Sequence, residues 1–150
     1  MECKVLTVIE FDVNCSPSQT FLENYSRAIN VSEPRVLIYA SYLLDIALIK
    51  YDFLKFTTSR LTVCALAIAM LRDEKLSGQS YQDKLNYLYE IMKIEGYDQE
   101  TFNACKEKFD TYRFDAASNP AYASIRRKYA GAKMYPFHVR DIPEAQEEAQ

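Results

Sequence analysis

Between Tyr39 and Leu71 the chain reads YASYLLDIALIKYDFLKFTTSRLTVCALAIAML, two almost wholly apolar segments on either side of a short polar break, Tyr51-Asp52-Phe53-Leu54-Lys55-Phe56. From Val36 to Ile49 the single charge is Asp45, and from Leu61 to Leu71 there is none. A helix that is apolar all round has to be wrapped by other elements or by lipid. The longest uninterrupted apolar run, Val63–Leu71, is far shorter than the roughly 18 to 20 residues a membrane span requires. The two segments therefore read as the inner helices of a bundle.

A chain of 150 residues is one domain with room for a real core. Three glycines and no tryptophan suit helices and argue against a turn-rich β fold. Around the inner pair the sequence predicts further helices. Glu2–Glu10 is short, with Val5, Leu6 and Ile9 on one side, and Phe11–Cys15 connects it onward. Ser16 is a good N-cap with Pro17 as the first helical residue, and that helix runs to Ala28, burying Phe21, Leu22, Tyr25 and Ala28. Ser32 caps the next helix, with Pro34 in its first turn. There Val36, Ala40, Leu43, Leu44, Ala47 and Leu48 follow the three-four spacing of a packed face.

Thr57 or Thr58 caps the central helix, which ends near Arg72; Ala65, Ala67 and Ala69 let neighbours approach it closely. After a loop at Leu76–Ser80, Tyr81–Ile94 is amphipathic, with Leu85, Leu88, Ile91 and Met92 on one side, and Gly96 stops it. Asp98 caps a helix carrying Phe102, Cys105, Phe109 and Tyr112, followed by a polar loop at Phe114–Asn119. Ala121–Ala130 is a short last helix. Pro136 and Pro143 mark irregular chain, and the glutamate-rich segment 143–150 is expected to be disordered. The expected fold is all-α: five main helices with a short helix at each end.

The residues that carry chemistry do not form a catalytic set. His138 is the only histidine, so any Ser-His-Asp or Cys-His arrangement would need it, and its setting, Tyr135-Pro136-Phe137-His138, reads as an extended tail. Cys3, Cys15, Cys64 and Cys105 are scattered and give no zinc spacing. Cys64 and Cys105 fall on predicted helices and read as buried thiols. The N-terminus lacks the basic-then-apolar shape of a signal peptide, and nucleus or cytoplasm is the expected location. Gly78, Gly96 and Gly131 cannot make a phosphate cradle.

A net charge of −3 gives no overall attraction to nucleic acid or anionic membrane. Arg126-Arg127-Lys128, with Lys133 nearby, is the one dense basic cluster and reads as a solvated helix face. Tyr81, Tyr87 and Tyr89 could stack bases, but beside Leu85 and Leu88 they read as core and core edge. Asp45 stands alone on an apolar helix and, if buried, needs a hydrogen-bonding or cationic partner.

Several segments, in this order, resemble the second, C-terminal lobe of the mitotic A/B-type cyclins. Tyr42-Leu43-Leu44-Asp45-Ile46-Ala47-Leu48 followed by Tyr51-Asp52-Phe53-Leu54 is similar to a Tyr-Leu-Leu-Glu-like helix ending in a Tyr-Asp-Phe corner. The Ala-rich Thr57–Met70 helix follows as it does in that family. Val5–Asp12 resembles the inter-lobe segment, Pro17–Ala28 the first helix of the second lobe, and Ile125-Arg126-Arg127-Lys128-Tyr129 the basic Lys-Tyr segment near the family's C-terminus.

The resemblance implies a cyclin-like five-helix bundle organised as residues 1–15 (end of the inter-lobe helix and linker), 16–142 (the helical domain) and 143–150 (acidic tail). It implies no enzyme, no cofactor and no metal, but a regulatory domain in cell-cycle control whose partner is a protein, a cyclin-dependent protein kinase. The alternative is a single-lobed cyclin-fold module that binds another protein, for example in transcription. The resemblance also places the start of the chain in the last helix of a first lobe, the lobe that makes most of the kinase contact in that family. A truncated gene model, an excised domain and a single-lobed protein all stay open. Glu23-Asn24 stand where mitotic cyclins often carry basic residues, so no anion-binding role is carried over. Catalytic, cofactor and metal residues are expected to be none, and partner-binding residues are left open.

Overall fold

A computed structural model describes residues 2–8, 10, 16–72, 79–94 and 98–130. Among them the chain forms seven α-helices: α1 Glu2–Val8, α2 Ser18–Ala28, α3 Pro34–Ile49, α4 Thr58–Arg72, α5 Gln79–Ile94, α6 Gln99–Ser118 and α7 Ala123–Ala130. Two 3-10 turns join them, η1 at Tyr51–Phe53 and η2 at Pro120–Tyr122. The described residues contain no strand, and none of their helices is long and apolar enough to cross a membrane. Five main helices with a short one at each end is the order the sequence predicts. The readings at Ile9, Phe11–Cys15, the 73–78 loop, Gly96 and everything from Gly131 onward, His138 and the acidic tail included, lie outside the described residues, as do the side chains of Val5, Leu6 and Met92.

Helix α4 is the axis of the bundle. It packs against α2, α3, α5 and α6, and every residue from Thr62 to Met70 is buried. This is what the absence of a polar face demands: with apolar groups on all sides, the helix reaches its lowest free energy only when each side meets another element. Ala65, Ala67 and Ala69 are all but fully buried, and their small side chains allow close approach from several directions. Thr57 Oγ1 accepts from the Arg60 amide at 3.4 Å and so caps α4. The Thr62 hydroxyl, completely buried, donates to the Thr58 carbonyl at 2.8 Å, and Tyr25 Oη meets Ser59 Oγ at 2.6 Å to tie α2 to the start of α4.

Cys64 and Cys105 are buried free thiols on α4 and α6, as expected. The Cys64 thiol donates to the Phe102 carbonyl at 3.9 Å. Its hydrogen bond with Cys105, together with burial, holds its proton on well above the usual thiol range.

Several local expectations are corrected. Neither Ser16 nor Ser32 is a helix cap. Pro17 itself stands at the N-cap of α2 in extended geometry. Pro34 is the first residue of α3, and because a proline drives the residue before it out of the helical region, Glu33 becomes the cap position. Ala28 is exposed at the end of α2. That helix closes instead with Asn30 at φ 51°, the Val31 amide bonding the Ser26 carbonyl at 2.8 Å and the Asn30 amide the Arg27 carbonyl at 3.1 Å. This is the left-handed helix ending that Asn tolerates, and it turns Ile29 and Val31 into the core.

Leu48 is 78 % exposed, so the packed face of α3 ends at Ala47. Phe114–Asn119 is not a loop: α6 continues to Ser118, with Ala116 fully buried. Asp98 caps α6 as predicted, its carboxylate accepting from the Thr101 amide at 2.8 Å.

Candidate interaction surface

The Tyr51–Phe56 break is where the inner helices turn, and its residues divide by position. Phe53 and Phe56 point inward and are buried, while Tyr51 and Leu54 are 88 % and 74 % exposed. Leu48 and Ile49, the last turn of α3, are exposed as well. Phe53 is the anchor: its ring lies 4.7 Å from that of Phe109 and 5.5 Å from that of Tyr112, centroid to centroid, both on α6. The corner is therefore seated on α6 from beneath and presents an apolar rim outward.

Polar contacts hold the same corner. The Asp52 carboxylate accepts from the Tyr112 hydroxyl and pairs with Lys108 at 3.7 Å. The Tyr112 hydrogen bond first, and the Lys108 charge second, hold its carboxyl below the usual range. The same bond raises the Tyr112 phenol. Lys50, the residue that ends α3, reaches Asp115 on α6 at 3.4 Å and lies 5.0 Å and 5.4 Å from the ring centroids of Tyr112 and Tyr122. Its hydrogen bond to Tyr122 is the main reason its ammonium holds its proton more tightly than usual. Asn119 donates to Asp115 at 3.1 Å and, ahead of Lys50, holds that carboxyl low.

A second clamp joins α3 to α7. Asp45 Oδ2 accepts from Lys128 at 2.6 Å and from the Tyr129 hydroxyl at 2.7 Å. Burial, and then the bond to Asp45, pushes the Tyr129 phenol far up. The lone acid of the apolar helix thus finds its partners in the basic segment. Arg126 is also engaged: one Nη donates at 2.7 Å to both the Ala116 and the Asn119 carbonyls, satisfying acceptors left over at the end of α6. Of the basic cluster, Arg127 and Lys128 are exposed, as a solvated helix face requires, and Arg126 and Lys128 in addition tie α7 to α6 and α3. Tyr81 and Tyr89 pack against the core, whereas Tyr87 is 50 % exposed.

Among the described residues, the carboxylates of this arrangement, Asp45, Asp52 and Asp115, are committed to ion pairs and hydrogen bonds with neighbouring helices. Among the described residues no group of three or more His, Cys, Asp or Glu is placed to hold a metal. What the corner can do chemically is bind. A rigid apolar rim of Leu48, Tyr51 and Leu54 beside the partly exposed cations Lys50 and Lys108 is suited to another protein's surface. The Tyr51–Phe56 break was visible in the sequence, but which residues around it would face outward was not, because Leu48 continues the apolar spacing of its helix.

Comparison with known proteins agrees with this picture. Residues 18–144 match the family model described as "Cyclin, C-terminal domain". Cyclin-A2 of Bos taurus is 30 % identical over 146 residues, covering 96 % of this chain and 31 % of that protein. The G2/mitotic-specific cyclin-B of Hydra viridissima is 26 % identical over 144 residues, 96 % of this chain and 33 % of that protein. The G2/mitotic-specific cyclin-B3 of Drosophila melanogaster is 29 % identical over 102 residues, 68 % of this chain and 17 % of that protein. The chain thus spans a third or less of the length of these relatives. No solved structure matches it at a significant level. With the predicted helix order in place and the family model covering most of its length, the chain belongs to the cyclin C-terminal domain family, a family of non-catalytic regulatory domains related here to the mitotic cyclins.

Proposed function

We propose that this chain serves as the second-lobe domain of a regulatory subunit of a cyclin-dependent protein kinase, acting in cell-cycle control in the nucleus or cytoplasm. The observation that supports it is the family match over residues 18–144, reinforced by two mitotic cyclins that each align with 96 % of the chain. In this reading residues 1–15 are the end of an inter-lobe helix and its linker, and 16–142 are the lobe itself. The chain's work is recognition and support, with the packed α3–α4 core holding its surfaces in fixed geometry.

The test joins two measurements. Affinity capture of the native protein, with its mass determined, is expected to bring down a cyclin-dependent kinase; repeated capture with other partners and no kinase overturns the reading. The 150-residue chain alone is expected to bind that kinase weakly, with a Kd no tighter than about 1 μM, or about −8 kcal/mol, and to leave it inactive. The reason is that in the family most of the kinase contact belongs to the first lobe. A calorimetric titration giving nanomolar affinity, with full activation in a phosphorylation assay, would show that the division of labour is wrong.

One observation favours a second reading, an interaction module with a non-kinase partner: Leu48, Tyr51 and Leu54 are exposed at the corner after α3. Capture of a partner that is lost on Tyr51→Ala and Leu54→Ala, with no kinase present, would select it.

A further inference from the structure

A partly open, mainly apolar groove runs beside α4. It lies between α4, α5 and α6 and is walled by Ala67, Leu71, Tyr81, Leu85 and Phe102, with Lys106 at its rim. Its volume is about 250 Å³, below the roughly 300–1,000 Å³ of pockets that enclose a drug-sized molecule. The space suits one or two side chains of a peptide.

Three features mark it as incomplete. Leu71, on the last turn of α4, is 52 % exposed at its lip. The Tyr81 hydroxyl is enclosed in the wall without a hydrogen-bond partner among the described residues. Burial accordingly pushes its phenol up to about 12, keeping it a donor at any physiological pH. Lys106 is half-buried and, unlike Lys50, Lys108 and Lys128, has no carboxylate within ion-pair range among the described residues. The groove thus supplies apolar walls and, at Lys106, a cation with no carboxylate partner among the described residues, and its complement is an apolar side chain accompanied by an anion.

We propose that this groove docks an extended segment of a partner protein through an apolar residue flanked by Asp or Glu. The apolar side chain fills the space beside Leu85 and Phe102, and the flanking carboxylate pairs with Lys106. The site is separate from the α3 corner and independent of whether a kinase is the principal partner.

The experiment selects a phage-displayed random peptide library on the full chain and measures synthetic versions of the winners by fluorescence anisotropy. The expected result is enrichment of Leu, Ile, Met or Phe within two positions of Asp or Glu. Lys106→Glu should weaken these peptides at least tenfold, and replacing the peptide's acid by lysine should restore binding to that variant. Lys106→Gln should weaken them several-fold without lowering the melting temperature, which separates lost recognition from lost folding. Absence of an apolar-acidic consensus, or affinities unmoved by Lys106→Glu, overturns the proposal. So does binding that emerges only when Glu144, Glu147 and Glu148 are changed to Gln, because the groove would then belong to the chain's own acidic end.

Discussion

Asp45 and Lys128 are 83 positions apart, and each is conspicuous in the sequence for a separate reason: one is an acid on an apolar helix, the other part of a basic run. The need of Asp45 for a partner was legible, since burying an unpaired carboxylate is costly. Its partner was not, because the choice among eighteen basic residues depends on how α7 lies across α3. The same limit applied to Asp52 and Asp115, whose partners come into view only when α6 is placed beside η1. Both carboxyls are held below the usual range, Asp52 chiefly by the Tyr112 hydroxyl and Asp115 chiefly by the Asn119 amide. A depressed carboxyl means that the folded state takes up its proton later than the unfolded chain as pH falls. Stability from these contacts is therefore complete above the unfolded value of about 3.9 and disappears as pH drops through the folded one. The Asp52→Asn and Asp115→Asn variants should melt below the parent at pH 7, with the gap closing as pH falls below about 4. Melting curves across that range, with equal gaps at both ends, would contradict the assignment.

At the level of helices, the sequence was most informative where one rule applied without competition. The apolar girth of α4 dictated its central place, and Asp98 was legible as a cap because a short acid before a helix can satisfy a free amide. Errors arose where two rules competed. Phe102, Cys105, Phe109 and Tyr112 keep three-four spacing, and Ala116 continues it. The polar letters around Ala116 suggested a loop, yet its fully buried methyl shows that the stripe was the stronger signal. Leu48 erred the other way: it fits the stripe of α3, but the chain turns at Lys50 and leaves no element to cover it. This contrast makes a paired test. Leu66→Ala, at a site with no exposure, should destabilise the fold by about 2 to 5 kcal/mol in urea titration. Leu48→Ala, exposed at the corner, should change it by no more than about 0.5 kcal/mol. Similar losses for the two would mean that the corner is covered in the free chain.

Across the whole molecule, stability should decrease from α4 outward. The helices that enclose it share one core cluster, from Leu22 on α2 to Tyr129 on α7. α1 has a different character: it is a seven-residue helix, and helices shorter than about 12 to 15 residues are marginal in water without packing. Val8 at its end is 81 % exposed, and Glu2, Cys3, Lys4 and Thr7 are exposed too. The sequence places several apolar groups here, Val5, Leu6, Ile9 and Phe11. Hydrogen exchange at low protein concentration should therefore show the Glu2–Val8 amides exchanging orders of magnitude faster than those of Thr62–Met70, because local opening of α1 breaks few tertiary contacts. Slow exchange throughout Glu2–Val8 in a dilute monomer would mean that the segment is docked on the bundle. If protection instead rises with concentration, the apolar side of α1 is covered by a second copy of the chain, and sedimentation at the same concentrations should show the dimer.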